Sequence, residues 1–116
     1  MAKVLKLRIV KGKFTPEQFR ALDDIINTIL SRLEGKIDLV TVAKHPQRVI
    51  YIIRFYLTGD AGDDEVHEVL KEVDLKIVDI VHDYFEGKRN VIALSYAEEE
   101  PGNRTNRSEE QEVVVE

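Results

Sequence analysis

Two hydrophobic periods alternate along this chain, and their order restricts the fold more than any motif does. In residues 4–10, Leu5, Leu7 and Ile9 share one face, while Val4, Lys6, Arg8 and Val10 share the other. That two-residue period is the mark of a half-buried strand. Phe19, Leu22, Ile26, Ile29 and Leu33 then recur at helical spacing, widened by Ile25 and Leu30, as on the buried face of an amphipathic helix. Thr15 with Gln18 forms a capping box, Pro16 suits the first helical position, and Gly35 supplies a left-handed stop. Residues 37–44 read as a second strand, His45-Pro46-Gln47 as a turn, and 48–58 as a third strand. After a loop over 59–62, Asp63 or Asp64 caps a second helix.

The extent of that helix decides the rest. Val66, Val69, Leu70, Val73, Ile77, Ile80, Val81 and Tyr84 keep a helical period to Gly87, yet residues 76–85 are also rich in β-branched side chains. An unbroken helix of about 24 residues would reach about 36 Å, longer than the first at about 28 Å. The expectation is therefore a short helix over 63–73, a strand over 76–85 and a last strand over 90–97. The order β-α-β-β-α-β is that of a ferredoxin-like α+β sandwich, here with an extra C-terminal strand. Residues 1–97 form the domain, and residues 98–116 form an acidic tail expected to be mobile, whose Val113-Val114-Val115 could add a strand to a neighbour's sheet.

At 116 residues the chain is long enough for one core. It has no cysteine, which excludes disulfides, thiolate catalysis and cysteine-bound zinc. With no membrane-length apolar run and no signal-peptide pattern, a soluble cytoplasmic protein is expected. Its composition leans towards that of a thermophile. The net charge of −5 is unevenly divided. Residues 1–54 hold eleven Lys or Arg against five acids, a net of +6; residues 55–116 hold six against seventeen, a net of −11. Such a split suits a basic face beside an acidic tail, or subunits that attract one another.

Motifs for catalysis are absent. Asp60, Asp63, Asp64, Glu65 and Glu68 cluster near His67, but acids at a helix start are expected from capping and the helix dipole. No metal or other cofactor is assigned. His45, His67 and His82 lie in no ligand pattern, and there is no phosphate loop, dinucleotide fingerprint or nucleophile elbow. Pairs such as Asp79 with Asp83 or Asp74 are expected by chance among 22 acids. The glycosylation sequons at Asn103 and Asn106 carry no weight without an export signal. No catalytic residue is assigned, and the chain reads as a non-enzyme.

The informative surface is the sheet face away from the helices. If Leu5, Leu7, Ile9, Val49, Tyr51, Ile53, Phe55 and Leu57 pack on the helices, the open face presents Val4, Lys6, Arg8, Val10, Ile50, Ile52, Arg54 and Tyr56. A patch with four aliphatics is one that soluble proteins cover, by a partner copy or by an added strand of the same chain. The favoured reading is a non-catalytic binding or assembly module that self-associates there. Val4, Ile50, Ile52 and Tyr56 would make the apolar contacts, and Lys6, Arg8 and Arg54 the charged ones. The first alternative is RNA or single-stranded nucleic acid on the same face, with Tyr56 as a stacking platform, although the paired aromatics and glycine of an RRM are missing. The second is a small-ligand sensor of the ACT type, which shares the element order and binds near a glycine turn where Lys11-Gly12-Lys13 stands.

Overall fold

A computed structural model describes residues 2–10, 12–45, 50–88, 90–99 and 111–115. The elements are β1 (Ala2–Val10), α1 (Pro16–Arg32), β2 (Ile37–His45), β3 (Ile50–Leu57), α2 (Asp63–Tyr84), β4 (Ile92–Glu99) and β5 (Gln111–Val115). The strands form one antiparallel sheet in the order β4-β1-β3-β2-β5. This is a small mixed α+β domain with two helices packed on one face of the sheet. Among the described residues no helix is long and apolar enough to cross a membrane.

The core forms where the two periods meet. Leu5, Leu7, Ile9, Phe55 and Leu57 face Leu22, Ile25, Ile29 and Leu33 of the first helical segment and Val66, Val69, Val73, Ile77, Ile80 and Val81 of the second. Phe55, Leu5, Leu7, Ile25 and Ile29 are fully buried. Each such side chain contributes about 1.5–3 kcal/mol of burial. Tyr51 and Ile53 are only half-buried, and Val49 lies outside the described residues.

The N-terminus of α1 follows its sequence. Thr15 Oγ1 accepts from the Gln18 amide at 3.1 Å, and Gln18 Oε1 accepts from the Thr15 amide at 2.8 Å. The second helix differs from expectation. It does not stop near Val73: residues 76–84 continue α2, and the strand expected over 76–85 does not exist. The physical reason is burial. A helix places Ile77, Ile80 and Val81 together on the core face, whereas a strand would turn Ile77 and Ile80 to opposite faces. The helical penalty of a β-branched residue, below about 0.7 kcal/mol, is smaller than that gain.

The length mismatch that argued for a short helix is absorbed at the other end. Gln18 lies beside Tyr84, Asp24 beside Lys76 and Arg32 beside Glu72, so the helices are antiparallel and residues 63–71 run past the end of α1. That overhang is held by Lys36 on Glu65 at 2.6 Å and Lys3 on Asp63 at 3.5 Å. After Phe85 the chain turns through the left-handed Glu86 and Gly87 (φ 55° and 72°) into β4. The extra strand accordingly comes from a different place. Residues 92–99 are the fourth strand, and the fifth is Gln111–Val115, paired along β2 from Val40 to Lys44. The valine end adds to the sheet of its own chain. The turn residues Pro46 and Gln47, the sequons and the rest of the tail lie outside the described residues.

Candidate functional site

Strand register assembles the sheet face turned from the helices in rows. One row runs Ala97, Val4, Tyr56, Leu39; the next Ser95, Lys6, Arg54, Thr41; the third Ala93, Arg8, Ile52, Ala43; and the fourth Val10, Ile50, His45. All seven residues read from the sequence as this surface fall on it. They differ in availability. Val4 is 1% exposed and Ile50 8%, both covered within the single chain. Lys6, Ile52, Arg54 and Tyr56 are half-buried, and Arg8 is exposed.

The second row is polar. Lys6 and Arg54 stand directly across from one another, an unfavourable pairing of like charges. Glu99 Oε1 at 3.5 Å from Arg54 Nε offsets it, and the Arg54 side chain is 12% exposed. Thr41, opposite Arg54, is buried with its Oγ1 making no hydrogen bond among the described residues.

Asp63 and Glu65, from the acidic cluster at the start of α2, make tertiary ties, the latter to Lys36. Asp63 accepts from the Tyr96 hydroxyl at 2.8 Å and pairs with Lys3, whose Nζ also donates to the Ala61 carbonyl at 3.0 Å. The Tyr96 hydrogen bond, then the Lys3 charge, hold the Asp63 carboxyl below the usual range. Burial, then the hydrogen bond to Asp63, push the Tyr96 hydroxyl up to about 12. His67 packs edge-on against the Tyr96 ring at 5.7 Å, and its Nδ1 lies 2.8 Å from the Asp63 carbonyl. Asp60 accepts from the Thr58 hydroxyl, which with burial opposing lowers its carboxyl too. Among the described residues no three His, Asp or Glu side chains gather as a metal-binding group. Gly12, at the turn considered for a small ligand, is exposed, and Lys11 lies outside the described residues.

A different surface was not anticipated. The large apolar side chains most open to solvent are on the helices, where Leu75 is 70% exposed and Val78 64%, with Phe19, Leu30 and Tyr84 also exposed. A shallow groove of about 300 Å³ between the helices is lined by Glu17, Arg20, Ala21, Asp24, Ile80 and Tyr84. The signal for Leu75 and Val78 lay in the helical reading of residues 74–86, which puts both opposite the buried face.

Comparison with protein-family models, curated proteins and solved structures finds no match for this chain.

Proposed function

We propose that this chain is a non-catalytic assembly module, built as a ferredoxin-like sandwich, that self-associates through the sheet face turned from its helices. The order β-α-β-β-α-β and the neighbours β4-β1-β3-β2 support the sandwich reading, with β5 as an addition at the β2 edge. One observation carries the self-association. Ile52 and Tyr56, with Val10 and Leu39, stay half-exposed across the central strands, on a face where neither α1 nor α2 packs. Arg8 stands beside this apolar strip, opposite Ile52. A second copy brings the same apolar strip and the same cation, so a two-fold pairing is self-complementary in its apolar part. The acidic half of the chain is the natural counterpart of the basic strands.

The test is Ile52→Asp in the full chain. Ile52 is the better target than Ile50, which is buried and whose replacement threatens the fold. The mass by light scattering is expected to fall relative to the parent; an unchanged mass contradicts the interface.

A second reading has its own observation. Lys6 and Arg8 stand near Tyr56 on adjoining rows of this face, cations beside one aromatic ring, as in surfaces that hold single-stranded nucleic acid. It requires binding that weakens with salt and falls on Arg8→Ala.

A further inference from the structure

The solvent face of α2 carries a second surface, and its polar side chains are arranged as complementary pairs about Leu75. Four residues before Leu75 stands Lys71 and four after it Asp79; seven before stands Glu68 and seven after it His82. All four are exposed, as is Leu75. His82 Nδ1 lies 3.0 Å from Asp83; among the described residues, no ion-pair partner stands on Lys71, Glu68 or Asp79.

This order has a geometric meaning. In a regular helix, residues at equal distances before and after a central one exchange places under a two-fold axis through that residue, perpendicular to the helix. Two copies of α2 packed antiparallel about such an axis put Leu75 against Leu75. Lys71 of each copy then meets Asp79 of the other, and Glu68 meets His82. A parallel arrangement would instead set Lys71 against Lys71 and Asp79 against Asp79, which is repulsive. Val78, one turn beyond Leu75, enlarges the apolar centre.

We propose that the solvent face of α2 is an isologous interface for a second copy of this chain, antiparallel and centred on Leu75. It lies on the layer opposite the sheet face and does not depend on that face. The stripe from Glu68 to His82 spans about 21 Å of a helix about 10 Å wide, on the order of 200 Å² per copy against the roughly 800 Å² of a standard stable interface, so this contact forms as concentration rises. Two isologous surfaces on opposite layers of one sandwich would link copies into larger assemblies.

The chain has no cysteine, so Leu75→Cys introduces a single thiol on the proposed axis. Under mild oxidation of the full chain, this variant is expected to form a disulfide-linked dimer roughly tenfold faster, or more, than Asp64→Cys. The two thiols of the latter would stand about 33 Å apart along the same face. Adding Lys71→Asp to Leu75→Cys is expected to slow the cross-link, and adding Asp79→Lys to that pair to restore it. Equal rates for Leu75→Cys and Asp64→Cys, or a Lys71→Asp effect that Asp79→Lys fails to reverse, would overturn the proposal. Ile52→Asp in the Leu75→Cys background separates the two surfaces, since it is expected to leave the cross-link intact whether or not the sheet face associates. Loss of the cross-link in that variant would overturn the independence proposed here.

Discussion

Gln18 donates from Nε2 to the backbone carbonyl of Tyr84 at 2.7 Å while its Oε1 receives the Thr15 amide at 2.8 Å. One side chain thus completes the N-terminus of α1 and satisfies a terminal carbonyl of α2. Helix ends leave such groups unpaired, and here a side chain of α1 supplies the donor for one carbonyl of α2. Gln18→Ala is expected to destabilise the chain by about 1–2 kcal/mol in urea unfolding, more than a simple surface change. A cost indistinguishable from zero would mean the bridge is not populated in solution.

The helical state of residues 76–84 makes neighbouring side chains unequal. Ile80 is buried and Val78 exposed. Ile80→Ala is expected to cost about 2–4 kcal/mol, whereas Val78→Ala should stay within about 0.5 kcal/mol. Comparable costs in chemical denaturation would contradict an α2 that reaches Tyr84.

Tyr96 and Asp63 set opposite limits on pH. The Tyr96 hydroxyl is raised from 10.0 to about 12, so its contribution is full below pH 10 and is lost as pH rises towards about 12. Asp63 is lowered, so its contribution is present above the ordinary carboxylate range and is lost as pH falls through its depressed value. Tyr96→Phe should remove part of the alkaline loss in melting temperature, and Asp63→Asn part of the acid loss. Parent-like profiles in both variants would show that this bond does not couple folding to protons.

How legible this molecule was depended on whether one period explained a segment. Leu5, Leu7 and Ile9 fit only a strand, and Phe19 through Leu33, capped by Thr15, fit only a helix; both stand as expected. Ile77, Ile80 and Val81 satisfy helical spacing and β-propensity together, and only the core they share with Val66 and Leu5 decides between them. Face assignment on the central strands was equally readable, because it follows from alternation. The burial of Val4 and Ile50 was not, since alternation assigns a side chain to a face and says nothing of what covers that face.

β5 gives a further check on the sheet. It pairs with β2 over Val40 to Lys44, so removing residues 111–116 turns β2 into an edge strand with unpaired backbone groups. Hydrogen exchange at amides in residues 40–44 is expected to accelerate in the truncated chain, with β1 little changed. Unaltered exchange there would mean that β5 does not protect β2.

Self-association is tested most directly by the solution mass of the parent chain, measured by light scattering over a range of concentrations at low and high salt. A mass above the 13.4 kDa of one chain, rising with concentration and free of nucleic-acid absorbance, is the expected result. A species of one chain's mass at every concentration and salt would contradict assembly through either surface.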